Sequence, residues 1–329
     1  MNEIDLTVFL YVAAANGVKM DFKFTENPMN DSSEKGIDLS RVVFSGQYED
    51  TPAIRELVIE EGVEEICENA FRDFECIEKV TFPRSLKQIS ACAFSGCKNL
   101  KEFVMPNGVT EILDEAFSSC PSLTSAVLPD SVKRIGEGCF EGCASLSRLK
   151  LSESILMIGS GAFAFCFNLR HVEIPDSCIL AEFNAFAFCF SLESVKLSLN
   201  MGLIDESLFE GCRSLSIIDL PARLTKIGRR AFKGCTSLKS LILPVNLREI
   251  GYDAFYGCTA LERISIPKDV KMLEDDDVFG ACDSLREISF GGSREEFEFL
   301  THGKSISVEK SDASVSTPNV IFLNLGEKK

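Results

Sequence analysis

The sequence predicts an α/β-class solenoid of mostly short parallel β-strands and turns, with few short helices. Three observations carry that reading. Phe recurs at 71, 94, 117, 140, 163, 186, 209, 232 and 255, always 23 residues apart, and again at Phe279 after a step of 24. Aliphatic columns keep the same register. Aromatic usage is lopsided, with 26 Phe, 4 Tyr and no Trp in 329 residues, as expected when one residue type is held at one repeated position. So short a unit cannot bury both sides alone, and stacking is what makes the core continuous.

Residues 1–50 do not keep the repeat and read as an N-terminal cap over the open apolar end. Leu6 to Ala15 is apolar like the core of a secretion signal, but Glu3 and Asp5 precede it and no Lys or Arg does. A capping strand or helix is the plainer reading. Val18, Met20, Phe22 and Phe24 alternate as in a strand. Asn27 to Gly36 is polar and reads as a loop. Ile54, Leu57 and Ile59, after Tyr48, read as the strand of an incomplete first unit.

Residues 51–290 form the array of about ten units. Nine residues after each Phe stands Val80, Phe103, Ala126, Leu149, Val172, Val195, Ile218, Leu241, Ile264 or Ile288. Eleven after stands another apolar residue, from Phe82 to Phe290. Positions two apart share one side of a strand, so each unit contributes one short strand facing the core. Pro follows at 83, 106, 129, 175, 221, 244 and 267 and ends the strand, because it lacks an N–H for the ladder. An Ile stands five before most Phe residues, for example Ile135, Ile158 and Ile227. Gly136, Gly159, Gly228 and Gly251 follow four of them, consistent with a tight bend. A long helix does not fit there, so a short extended piece and a turn are expected on the far side. At ~4.8 Å per strand, ten units extend roughly 45–50 Å.

The late Phe279 marks an insertion that gathers Glu274, Asp275, Asp276 and Asp277. Consecutive rather than alternating carboxylates lack the spacing of a calcium loop, and an ordinary charged loop is the simpler reading. Residues 291–329 close the chain, with Val320 to Leu325 as a final edge strand and the polar stretch from Ser311 to Thr317 as a loop.

Nine of the 14 Cys occupy one column, three after the Phe, from Cys97 to Cys282. Side chains of one column point the same way rather than toward each other, so free buried thiols are expected instead of disulfides. Cys67 and Cys92, two residues apart in register on neighbouring units, are the pair best placed to bridge. A linear ladder does not converge on a tetrahedral zinc site.

The formal charge is −16, which counts against a nucleic-acid backbone as partner. No apolar run reaches the ~20 residues of a membrane span. With two His, a His-centred catalytic set is hard to staff. His171, Glu173, Ser194 and Lys150 approach one another on an open sheet face rather than in a pocket, so a solvated His is the reading. His302 reads as a loop residue. No phosphate loop, dinucleotide fingerprint or HExxH motif is present, and no cofactor or metal is expected.

The unit LKSLILPVNLREIGYDAFYGC, from Leu238 to Cys258, resembles the BspA-type leucine-rich repeat, which reads L-x-x-I-x-I-P-x-x-V-x-x-I-G-x-x-A-F-x-G-C. The resemblance covers about residues 54–290. FGGSREEFEFL, from Phe290 to Leu300, resembles the family's closing unit, with Phe297 where Trp is frequent. The resemblance implies a curved, right-handed, horseshoe-like leucine-rich repeat solenoid. It also implies a non-enzymatic role in adhesion or host-protein binding at a microbial surface. The acidic N-terminus and the unpaired thiols leave a cytoplasmic location open.

Outward strand residues are the natural recognition surface of such a stack. The middle of one column reads Lys150, Glu173, Lys196 and Asp219. Arg148 and His171 lie beside it, with Val104 and Val127 on one flank and Ile217 and Ile242 on the other. Mixed apolar and charged character suits a protein partner. Opposite charges across a sheet also stabilise it by ~0.2–1 kcal/mol per pair, which is the alternative reading of the alternation. Self-association through the ends or sides of the stack is the alternative role.

Overall fold

Each unit contributes two short strands and one turn to the stack. In this computed structural model, residues 11–13, 55–59, 61–273, 278–301, 308–309 and 315–323 are described. The first strand column runs from Glu56–Val58 through Lys79–Thr81 to Glu287–Phe290, one strand per unit. Within each run its neighbours pair in parallel and in register, as Val80 with Phe103 and Val195 with Ile218, and the runs break after Val104, after Lys150 and after Asp219. The middle residue of each three-residue strand faces inward and its two flanks outward, which sets the outward columns the sequence predicts.

The far side holds the expected short extended pieces. Two-residue strands such as Gln88–Ile89, Glu111–Ile112 and Arg134–Ile135 pair in parallel as a second column, with each Ile buried. Gly136, Gly159, Gly228 and Gly251 serve a different purpose from the expected bend. None has a positive φ. A Cβ on Gly159 or Gly251 would come within 2.7 or 2.6 Å of backbone in the preceding unit, so these glycines permit close approach of coil on coil.

Bends are made instead by two left-handed residues per turn, two before and two after the Phe. Glu115 (φ 55°) and Ser119 (φ 56°) flank Phe117; Gly138 (φ 55°) and Gly142 (φ 70°) flank Phe140. This alternation aims three N–H groups at the next unit. Glu115, Phe117 and Ser119 donate to the carbonyls of Glu137, Cys139 and Glu141 at 2.7, 2.8 and 2.7 Å. The turns are thus a third hydrogen-bonded column, and the backbone is satisfied without a helix.

Between the columns the rings form one stack. Centroids from Phe71 to Phe279 are 5.1–6.0 Å apart. Neighbouring strands lie only ~4.8 Å apart. The Phe side is therefore longer than the strand side, and the stack curves with the first strand column on its inner face. The ring step is widest, 6.0 Å, between Phe186 and Phe209. There the second column is also interrupted, since Leu180–Ala181 and Leu203–Ile204 belong to different sheets. Glu182 and Asp205 replace the close-approach Gly at this step, and Ala181 replaces the Ile.

Every ladder thiol has the same partner. Cys97 Sγ donates to the carbonyl of Phe71 at 3.2 Å, and the pattern continues to Cys282 on Phe255 at 3.1 Å. That carbonyl also accepts from a backbone N–H of its own turn, as Phe94 does from Cys97, so the thiol fills its second lone pair. Burial pushes the Cys143 and Cys189 thiols up to about 12. None of the nine is in a disulfide. Cys92 directs its thiol to Glu115 Oε2 at 3.7 Å.

At the ends, Tyr11–Ala13 pairs antiparallel with Glu56–Val58. Asn319–Phe322 adds in parallel to Glu287–Phe290, as expected for the last edge strand. Helix Arg294–Leu300 starts in a capping box between Ser293 and Glu296. Its buried Phe297 packs on Phe290 and Phe322 at 5.2 and 5.9 Å, which realises the expected closing unit. The segment read as a loop is corrected in part: Val315–Ser316 pairs antiparallel with Val308–Glu309, because valines on both sides of the polar stretch favour a strand pair. The strand expected at 18–24, the loop at 27–36, Tyr48, Ile54, the acidic insertion at 274–277 and His302 lie outside the described residues.

Candidate functional site

Short parallel strands hold the predicted face in register. Glu173 stands opposite Lys196, and Lys196 opposite Asp219. Lys196 Nζ is 4.0 Å from Glu173 Oε2, with both side chains well exposed. Lys150 stands opposite Val127, and its strand Arg148–Lys150 falls in a separate sheet from His171–Glu173. Arg148 stands opposite Ser125. The apolar flanks are open to solvent: Val104 is 82% exposed and Ile242 80%, with Ile217 exposed beside Asp219 and Val127 more shielded. All ten residues therefore lie on the outward side of the first strand column, spread over seven consecutive strands.

His171 Nδ1 lies 2.8 Å from Ser194 Oγ across that surface. A nucleophilic set needs a third group to orient the imidazole. Glu173, the nearest carboxylate in sequence, turns to Lys196. Among the described residues no cluster of three or more His, Cys, Asp or Glu is arranged to hold a metal. No helix among them is long and apolar enough to cross a membrane.

The repeat columns match a family model described as the BspA type leucine rich repeat region, in six copies, over residues 43–125, 64–193, 110–219 and 181–308. The chain belongs to this family. Among solved structures, the BspA-type chain is similar to a leucine-rich cell surface protein of Faecalibacterium prausnitzii, at 28% identity over 75% of this chain and 82% of that one, TM-score 0.42. It is similar to a leucine-rich repeat protein of Bacteroides ovatus at 26% identity, covering 82% and 84% of the two chains, TM-score 0.46. A T. pallidum leucine-rich repeat protein shares 25% identity over 65% of this chain and 87% of its own, TM-score 0.40. No curated protein matches the sequence. Family membership rests on the repeat match and brings the scaffold character typical of leucine-rich repeats.

A second surface departs from the BspA-type pattern and was missed by reading columns alone. Where the pattern has Gly two after the Phe, this chain has Phe165 (φ 61°) and Phe188 (φ 58°). Two residues later stand Phe167 and Phe190. Phe165 stacks on Phe188 at 5.0 Å and Phe167 on Phe190 at 4.9 Å, and the two stacks meet edge to face. Arg213 covers the far face of Phe190 at 4.4 Å. The signal was available: the hexapeptide AFAFCF occurs twice, at 162–167 and 185–190.

Proposed function

We propose that the chain is a non-enzymatic protein-binding module that receives its partner on the outward strand face. The observation that carries this is the pair of open apolar flanks, Val104 and Ile242, on either side of a charged centre. Isolated β-branched residues at such exposure add nothing to the core, whose columns are filled by one residue type after another. The centre changes chemistry from unit to unit: Lys150, Glu173, Lys196, Asp219. Packing repeats in every unit and asks for the same residue each time; a non-repeating partner does not. An inner, curved sheet face also presents these residues from rigid elements, which lowers the ordering cost of binding. Adhesion or host-protein binding is the form of this role the family resemblance favours.

Capture of partners on the immobilised chain, followed by titration of the purified partner, tests the reading. Val104→Asp with Ile242→Asp should weaken binding at least ~10-fold with an unchanged melting temperature, about the loss of one central contact. Full affinity in that variant would reject the strand face.

A further inference from the structure

We propose that the outward side of the second strand column, over Leu156, Ile179 and Leu180, docks a second copy of this chain with the two stacks crossed at about a right angle. This surface lies on a different side of the unit from the strand face. The two residues before the buried column position are polar in the flanking units, Lys133 and Arg134 on one side and Thr225 and Lys226 on the other. In the three consecutive units between, they are Leu156 and Met157, Ile179 and Leu180, and Gly202 and Leu203. Leu156 is 52% exposed and Ile179 64%, on a column whose inward residues already fill the core. Folding does not ask for them, since Thr110 and Thr225 hold the same place in other units. The patch also spans the interruption between Leu180–Ala181 and Leu203–Ile204, where the Gly202 N–H finds no backbone acceptor among the described residues.

Charge around the patch selects the occupant. Two units from Leu180 along the stack, about 10 Å, stand Lys133 and Arg134 at one end and Lys226 at the other. Along the strand direction, roughly 7–13 Å from Leu180, the rims are acidic: Glu153 and Asp176 at the corner before the strand, Glu182 and Glu206 after it. A two-fold axis along the stack would set Arg134 on its own copy, and one along the strands would set Arg134 on Lys226. Both meet cation with cation. A two-fold axis on the diagonal between those directions crosses the stacks, exchanges ends with rims, and sets cations on carboxylates.

Of the two diagonals, one joins unspent groups. Glu182 already accepts from the Ser160 N–H and hydroxyl. Glu153 is exposed and, like Lys133, Arg134 and Arg223, has no ion pair among the described residues. The diagonal that carries the Lys133 end onto the Glu153 rim places Lys133 over the second copy's Glu153 and Arg134 over its Asp176. By the same operation Lys226 comes over Glu182, and exposed Arg223 over exposed Glu137. Leu180 lies on the axis with Leu156 and Ile179 beside it, so the apolar centre meets itself. Asp130, Asp205 and Arg229 also fall near the axis and face their own copies, which keeps the contact weak. Asp130 and Asp205 are partly spent, accepting from the N–H groups of Glu153 and Glu206. An isologous contact of this kind closes on itself. Its footprint, about five units by six residues, is roughly 500 Å² per copy. That is at the small end for a specific interface, so a dissociation constant on the order of 100 µM is expected.

Sedimentation equilibrium of the full chain at up to about 500 µM tests this. The wild type should show a reversible monomer–dimer equilibrium. Leu156→Thr with Ile179→Thr should weaken it at least ~10-fold with an unchanged melting temperature, because the fold already holds Thr at this place in other units. Lys133→Glu and Glu153→Lys should each weaken self-association at least ~10-fold, since each variant meets a like charge twice in the dimer. Mixed in equal amounts, these two variants should associate with close to wild-type affinity, because each copy then offers the charge the other lacks. A wild type that stays monomeric at that concentration overturns the proposal. So does a dimer that keeps its affinity with the two Thr, or an equal mixture that associates no better than either variant alone.

Discussion

Each ladder thiol is a neutral donor fixed on one carbonyl. Cys189 lies fully buried and donates to Phe163 O at 3.2 Å. With its thiol pushed up to about 12 by burial, thiolate forms only at very alkaline pH. Native protein at about pH 8 should therefore leave the nine ladder cysteines unmodified by an alkylating reagent, while exposed Cys76 reacts; all nine should react after unfolding. Mass spectrometry of the labelled peptides checks this. Cys189→Ala leaves the second lone pair of Phe163 unsatisfied and opens a small void, a loss of about 1–2 kcal/mol in a chemical melt. The ladder was legible in the sequence because identical spacing implies stacking. Its partner was not, since register says which residues lie over each other and not which main-chain atom a side chain meets. The glycines show the same limit: a Gly in a column signals missing Cβ, and only the folded backbone distinguishes close approach at Gly159 from positive φ at Gly142.

Stacked units depend on their neighbours at both faces. Phe163 is fully buried between Phe140 and Phe186, each 5.4 Å away. Phe163→Ala should cost ~3–5 kcal/mol in a chemical melt; a loss under ~1 kcal/mol would contradict the buried ladder. The step between the units of Phe186 and Phe209 is the loosest. At other steps the residue after the column Ile donates to the Ile of the preceding unit, as Gly159 does to Ile135 and Gly228 to Ile204. Among the described residues no such bond joins Asp205 to Ala181. Amide exchange at Asp205 should therefore run faster than at Gly159 or Gly228, readable by mass spectrometry or NMR. Strand positions were legible from two-residue alternation and the trailing Pro. The pairing of Val308–Glu309 with Val315–Ser316 was not, because two-residue strands without a repeat leave no periodic trace.

At the scale of the molecule, three hydrogen-bonded columns and one ring stack hold a curved scaffold whose outer chemistry is free to vary. Of the candidate face, the outward columns followed from alternation alone, and the structure gives them exposure and register. The interruption that separates Lys150 from Glu173 did not follow, since both strands carry the same pattern. The aromatic surface was hidden because its rings lie off the main Phe column. The direct test of the proposed binding role of the strand face is the affinity of a purified partner for Lys150→Glu with Lys196→Glu, measured at low and high salt. Both side chains are solvated, so folding stability should stay within ~0.5 kcal/mol. Affinity should change mostly through the association rate, and the difference from wild type should shrink as salt rises. Equal affinity and equal salt dependence for the two proteins, with the partner protecting the turns or the ends of the stack, would contradict the account.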